Sequence, residues 1–439
     1  MSKPLEGVRV LDLSHVIAGP LASFYLAQMG AEVIKIEPPN GGEVMRTSKN
    51  ASEGDTPTAF VAMNAGKRSL ALDIRTPEGA EVVRSLARTA DVFIENFRPG
   101  VVAKYGLDFE SIKAVKPDIV YCSISGYGQE GEWSGRGAYD HVVQALTGMM
   151  MMSGEHPDAP PLKVGFPVID VAVGMLGSLS IVSALHRRAR DGAGQYIDAS
   201  MVQASLMLMY PAASAFLTDG TEPQRIGNRG YTGSPAADTY PCLDGWLAVA
   251  ANTPQQFRKL AATLNMEALC EDARALDLEA FNAPGRGFVV PRDADYVIGR
   301  LRAAFASREA ADLETRLNAA GVPAARVRRL GEFLRETDGG GCVGLPDFRF
   351  TQRQHEVRTR GLGFSYADEG GPSARGAEAL GQSTQALLSE IGVGADAVAA
   401  LVIAGFAVRE GLEAWKGDAC AVPVSALTGE RAVEPCDCC

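Results

Sequence analysis

The chain has 439 residues, 46% of them hydrophobic, and carries 53 acidic against 42 basic side chains, a formal net charge of −11. That length buries a large core and suffices for more than one domain. The acidic balance argues against a general nucleic-acid surface, so an anionic ligand needs locally basic clefts, and the opening MSKPLEGVRV lacks the basic-then-apolar pattern of an export signal, which predicts a cytoplasmic protein.

Val8 to Leu13 is a short β-rich run, Pro20 to Met29 is helical in character, and Glu32 to Glu37 is a second strand, together a βαβ unit. Glu37 ends that strand where a dinucleotide-binding fold places its ribose acid. The loop His15 to Pro20, however, lacks the G-x-G-x-x-G that lets backbone approach a pyrophosphate, which argues against a nicotinamide dehydrogenase. Ser69 to Ile74 reads as a strand, and Thr76-Pro77-Glu78 as a helix start with Thr at the cap. Asp91 to Phe97 and Asp118 to Ser125 continue the pattern. The predicted fold class is α/β, a doubly wound parallel-sheet (Rossmann-like) large domain. Arg46, Lys67, Arg68, Arg98 and Lys104 fall on predicted loops at the carboxyl ends of the strands, where such sheets bind ligands.

Met149 to Met152 is an apolar run that reads as core or as the lining of an acyl pocket. Val164 to Met201 sets Asp170 just before a long apolar helix, where a carboxylate is either an N-cap or a nucleophile. The run Val171 to Leu185 is interrupted by Gly and Ser and falls short of the ~20 residues that span a bilayer, so it predicts a core helix and no membrane partner. From Gly227 the texture changes: a glycine-rich stretch, a strand at Trp246 to Ala251, then helices at Thr253 to Leu264, Ala294 to Ala306 and Arg308 to Ala320, a smaller α+β domain. The expected limits are 1–215 for the large domain, 216–330 for the linker and small domain, 331–407 for a C-terminal segment and 408–439 for an extension. Cys122, Cys242, Cys270 and Cys342 are scattered and read as buried thiols. Cys436, Cys438 and Cys439 read as a terminal tail, with no metal site expected.

The segments GVRVLDLSHVIAGPLASFYLAQMGAEVIKIEPP, MNAGKRSLALDI, DVFIENFRPG and GFPVID…HRRARDGAGQYIDASM, in this order over most of the chain, resemble the family III CoA-transferases of the carnitine- and bile-acid-inducible type. That family includes formyl-CoA transferases and 2-methylacyl-CoA racemases. The resemblance implies that Asp170 is the catalytic carboxylate and that Val16, Ala18, Lys67, Arg68, Asn96, Phe97 and Lys104 contact CoA. It implies too that the C-terminal part returns to the large domain and that two subunits interlock as rings in a homodimer. Where formyl-CoA transferases have a basic residue after Glu37 this chain has Pro38, which leaves Arg46 as a candidate for the lost phosphate contact. Gly230 and Gly233 suit an oxyanion-binding loop or an interdomain turn. Tyr139 stands where the racemases have a catalytic His; His141, two places on, reads as a surface or packed histidine.

The expected activity is CoA transfer between an acyl-CoA and a carboxylic acid through an aspartyl-CoA intermediate, with CoA as substrate and no tightly bound cofactor. Arg229 with Arg225 could hold a second carboxylate, which favours small dicarboxylic acids of the succinate, mesaconate, itaconate or citramalate kind. The alternatives are a 2-methylacyl-CoA racemase and a non-catalytic CoA-binding homologue.

Overall fold

The computed structural model describes residues 3–47, 56–285, 287–352, 355–366 and 374–394. In chain order the first part runs β1 (Arg9–Asp12), α1 (Ala18–Gln28), β2 (Glu32–Glu37), α2 (Thr58–Asn64), β3 (Arg68–Ala71), α3 (Pro77–Ala87), β4 (Val92–Glu95), α4 (Phe109–Val115) and β5 (Val120–Ser125). It continues through α5 (Asp140–Leu146), α6 (Met149–Met152), α7 (Val168–Asp191), β6 (Gln195–Ser200), α8 (Met201–Leu208) and α9 (Tyr210–Asp219). The strands form one parallel sheet in the order β3-β2-β1-β4-β5-β6.

Side chains alternate across a strand, and here both faces are apolar because helices cover both. Val10, Val33, Val92, Ile94 and Val120 join the core that includes Ala22 and Phe24 of α1 and Val173 and Ile181 of α7. Their neighbours Leu11, Ile34, Phe93 and Tyr121 join the opposite core with Val83 and Leu86 of α3 and Ile112 of α4. Thr76 caps α3, its Oγ1 accepting the Gly79 N–H at 3.1 Å, with Pro77 in the first turn.

At 24 residues α7 is longer than the run read from the sequence, and by length and composition it could cross a membrane. Here it packs on α1 and the sheet. A Cβ on Gly174 would lie 2.7 Å from the Ala18 carbonyl oxygen and one on Gly177 3.2 Å from Ile124 Cδ1, so this close seat depends on glycine.

The chain folds as two compact units. Of the described residues, the larger takes in those up to Met150, Lys163–Glu222 and those from Leu345 on; the smaller takes in Met151–Leu162 and those of Pro223–Gly344. These limits differ from the expected 216–330. The arm 151–162 belongs with the smaller unit because Arg225, 7% exposed, donates from Nε to the Met151 carbonyl at 2.8 Å and from Nη1 to the Pro157 carbonyl at 3.4 Å and to the Ala159 carbonyl.

The smaller unit holds an antiparallel sheet of β7 (Ala237–Cys242), β8 (Gly245–Ala250) and, after α10 (Pro254–Leu264), α11 (Leu278–Asn282), α12 (Ala294–Ala306) and α13 (Ala310–Ala320), β9 (Ala324–Arg326), followed by α14 (Leu330–Glu336). Tyr240, Leu247, Phe257, Phe305 and Leu313 form its core. The antiparallel pair β10 (Phe348–Gln352) and β11 (His355–Thr359) and then α15 (Thr384–Glu390) belong to the larger unit, where Leu387 and Leu388 enter the core beside α3. Cys122 is buried as expected, whereas Cys342 is exposed. The extension 408–439, with Cys436, Cys438 and Cys439, lies outside the described residues.

Candidate active site

Connections leave β1 and β4 in opposite directions, so the crevice outside their carboxyl ends is the natural ligand site of this sheet. Two loops border it, residues 13–17 after β1 and 96–101 after β4. Asn96 joins them: its Oδ1 accepts the His15 N–H at 2.9 Å and its Nδ2 donates to the His15 carbonyl at 2.8 Å. The Phe97 ring lies 5.2 Å from that of His15, and the Phe97 N–H donates to Glu95 Oε2 at 2.8 Å. Asn96 is thus occupied in joining loop to loop. Val16 has a left-handed backbone, φ 68°, and Ala18 is 5% exposed at the start of α1.

The basic candidates separate into inward and outward groups. Lys67 is 2% exposed, and its Nζ donates to Asp12 Oδ2 at 3.0 Å, Ser23 Oγ at 2.7 Å, Asn64 Oδ1 at 2.8 Å and the Pro20 carbonyl at 2.9 Å. Burial alone would raise the Asp12 pKa, but Lys67 and Lys35 outweigh it and hold the carboxyl at about 2; burial brings Lys67 down to about 8 against the pull of Asp12. A lysine so enclosed is a core group and not a surface contact for CoA. Arg46 is the bidentate partner of Glu37, with Nε–Oε2 2.6 Å and Nη2–Oε1 2.7 Å, and its guanidinium lies 4.2 Å from the centre of the Phe60 ring. Burial works to raise the Glu37 carboxyl, and Arg46 with Lys35 and Ser69 holds it below its ordinary value. Arg46 Nη1 also donates to the Glu378 carbonyl at 3.0 Å, so Arg46 and Glu37 are engaged with protein groups and Glu37 stands in for no ribose acid. Arg68 pairs with Glu32, the first residue of β2, and with Glu390 at 2.9 Å, turned away from the carboxyl edge. Lys104 and Arg98 are exposed, and their side chains make no hydrogen bond or ion pair among the described residues. A Cβ on Gly137 would come 2.9 Å from Arg98 Nη2, so this guanidinium lies over the segment that leads into Tyr139.

Asp170 occupies the third position of α7 and Pro167 is the N-cap, which overturns the capping alternative: no side chain at that cap accepts a hydrogen bond. The cap comes from elsewhere. Asp140, the first residue of α5, accepts the Ile169 N–H at 2.7 Å and the Asp170 N–H at 3.2 Å on Oδ2, the amides that an N-cap side chain ordinarily satisfies. Gln144 holds it there, donating from Nε2 to Asp140 Oδ1 at 2.5 Å while its Oε1 accepts the Val164 N–H at 2.9 Å. The Asp170 carboxylate itself makes no hydrogen bond or ion pair among the described residues. Burial first, and the Asp140 charge second, push its pKa to about 6. A helix N-terminus favours the ionised form, so at neutral pH this is a half-buried carboxylate with free oxygens.

The family model for CoA-transferase family III matches residues 5–383. The chain belongs to CoA-transferase family III. This family III chain is 40% identical over 277 residues to a succinate–glutarate CoA-transferase of Agrobacterium fabrum, covering 62% of this chain and 69% of that one. It is 35% identical over 340 residues to a succinyl-CoA:mesaconate CoA-transferase of Haloarcula marismortui, covering 75% and 82%. The crystal structure of a CAIB/BAIF family protein from Brucella suis superposes with a TM-score of 0.75 at 31% identity, covering 89% of this chain and all of that one.

The other expected groups of this family III protein stand as follows. Tyr139 is the N-cap of α5, 71% exposed, its ring stacked 6.3 Å from that of the exposed His141. Gly230 donates its N–H to the Ala237 carbonyl at 2.7 Å, and Gly233, at φ 72°, donates to the Gly230 carbonyl at 3.4 Å. Both amides face their own loop in the smaller unit, so an oxyanion role requires that loop to open. Arg225 is held by the arm 151–162, which leaves Arg229, exposed and without a side-chain partner among the described residues, as the free cation of that pair. Asp140, Gln144 and Glu43 escape a sequence reading because each accepts a backbone N–H at least 20 positions away.

Proposed function

We propose that the protein transfers CoA between an acyl-CoA thioester and a small dicarboxylic acid, with Asp170 as the nucleophile. The observation that carries this reading is a half-buried carboxylate with free oxygens on the first turn of α7. Asp170 attacks the donor acyl carbon, and CoA thiolate leaves as the C–S bond breaks, giving a mixed anhydride. The thiolate then attacks the Asp170 carbonyl carbon and expels the donor acid as its carboxylate, leaving an aspartyl-CoA thioester. The acceptor carboxylate repeats both steps in reverse order, and Asp170 is regenerated. Each step exchanges one carboxylate for one thiolate, so no proton is consumed and no metal is called for.

The names of the relatives, succinate–glutarate and succinyl-CoA:mesaconate transferases, support substrates with a second carboxylate. Lys104 and Arg98, both exposed and unengaged among the described residues, are the candidate contacts for CoA phosphates. Met175, Leu179, Met207, Tyr210, Phe216 and Leu217 are large apolar side chains left exposed on α7, α8 and α9, which supports a homodimer; its interlocked form and cytoplasmic location rest on the resemblance and the sequence reading.

The test is peptide mass spectrometry after incubation with succinyl-CoA and trapping with borohydride or hydroxylamine. Modification confined to the peptide carrying Asp170 is expected; an adduct only elsewhere, or none with several acyl-CoAs, overturns the mechanism.

A further inference from the structure

Val16 and Asn265 are the non-glycine residues with positive φ among the described residues. Asn265 is the C-cap of α10, a place that asparagine fills readily. Val16 has no such licence: a β-branched side chain at φ 68° is strained, and glycine would take that conformation freely. Its N–H donates to Glu43 Oε2 at 2.8 Å, across 27 positions of sequence. Glu43 is 4% exposed, and its other oxygen, Oε1, is enclosed with no partner among the described residues. Burial raises the Glu43 carboxyl above its ordinary value, opposed by Lys35 and the Val16 N–H.

Two unfavourable features thus meet in one hydrogen bond. The surroundings hold the loop: Lys35 Nζ donates to the Ser14 carbonyl at 2.9 Å, Asp12 Oδ1 accepts the Ser14 N–H at 2.9 Å, and Asn96 clamps His15 on both backbone groups. A loop held this firmly in a costly conformation lies at the carboxyl edge of β1, beside the β1/β4 crevice, where stored strain accompanies ligand contact.

We propose that Glu43 is a positioning residue for acyl-CoA, locking Val16 in its left-handed turn so that the loop after β1 meets the ligand already formed. The proposal rests on the CoA-transferase reading above.

The test is steady-state kinetics with succinyl-CoA on wild type, Glu43→Gln, Glu43→Ala, Val16→Gly and the Val16→Gly/Glu43→Ala double variant, with thermal melts alongside. Glu43→Ala raises KM for succinyl-CoA about tenfold with kcat within about threefold, and Glu43→Gln, which keeps an acceptor for the Val16 N–H, recovers most of it. Val16→Gly melts no lower than wild type yet raises KM about fivefold, because the unbound loop gains freedom. In the Val16→Gly background Glu43→Ala adds less than about threefold, the mark of coupling. Should Glu43→Ala fail to fold, the Val16→Gly result decides. An active wild type whose KM is unmoved by Val16→Gly, or a Glu43→Ala effect equally large in both backgrounds, overturns the inference alone. A wild type that neither binds nor transfers succinyl-CoA overturns the transferase reading and this inference with it.

Discussion

Asp140 Oδ2 accepts the backbone N–H groups of both Ile169 and Asp170, so one carboxylate caps the helix that carries the other and adds its negative charge beside it. Two effects of opposite consequence come from one side chain. The cap stabilises α7; the charge raises the Asp170 pKa.

Substitution separates them. Asp140→Asn keeps an oxygen for the two amides and deletes the charge, losing only the hydrogen bond from Gln144 Nε2, which meets the new amide nitrogen. If Asp170 is the nucleophile proposed above, only its ionised form attacks, and with its pKa at about 6 the acid limb of kcat/KM falls near that pH in the wild type. Removing a like charge favours ionisation, so the limb of Asp140→Asn moves to lower pH. Asp140→Ala moves it the same way and also loses about 1 kcal/mol of stability with the cap. A pH–rate profile paired with urea melts reads both, and a limb that stays in place in Asp140→Asn would show that burial alone sets the Asp170 pKa.

Asp170→Asn preserves shape and cannot form a thioester with CoA. Transfer falls at least about a thousandfold, the scale of losing a nucleophile, while CoA dissociation constants by calorimetry stay within about threefold. More than a few per cent of wild-type rate would end Asp170's candidacy.

Much of the large unit was legible because its strands are buried on both faces and so read as apolar runs separated by helices. The α3 cap was legible for a different reason: Thr76 and the amide it binds are three residues apart. β6 was not, since five of its six residues are only half-buried and no apolar run marks it. Long-range partners were equally hidden. Lys67 and Lys104 look alike in sequence, yet Lys67 meets Asp12 across 55 positions and Lys104 meets solvent. The glycine loop showed its composition but not that Gly230 would give its N–H to Ala237.

That contrast between basic residues is testable. Lys67→Met takes from buried Asp12 its ion-pair partner and leaves it Lys35 and the Ser14 and Ser23 hydrogen bonds, a loss of about 3 kcal/mol of stability. Arg98→Ala and Lys104→Ala leave the melting temperature within about two degrees, since neither side chain has a partner among the described residues to lose. If they face CoA phosphates, each raises KM for acyl-CoA, and the difference from wild type shrinks as salt screens it. Melting curves and KM at low and high ionic strength distinguish the two groups. A melting temperature for Lys67→Met as high as that of Arg98→Ala would contradict the assignment of Lys67 to the core.

Glu95 closes β4 as an almost fully enclosed carboxyl, 2% exposed, whose Oε2 accepts the Phe97 N–H at 2.8 Å. Burial pushes its pKa to about 7; hydrogen bonds from Ser123 and Phe97 pull the other way, and Asp198 adds a like charge. In the folded protein Glu95 keeps its proton to about pH 7, whereas in the unfolded chain it loses it near the ordinary 4.5. The folded state therefore binds more protons between those values, and stability falls as pH rises through that window, by up to about 3 kcal/mol. The contribution is intact below about 4.5 and fully lost above about 7. Asp170, also raised, acts in the same direction over a lower window, so wild type alone cannot apportion the slope. Glu95→Gln stays neutral throughout. Urea unfolding from about pH 5 to 8 should show the variant gaining on wild type as pH rises to about 7 and levelling off above it, and curves that run parallel would mean that Glu95 ionises in the folded protein without penalty.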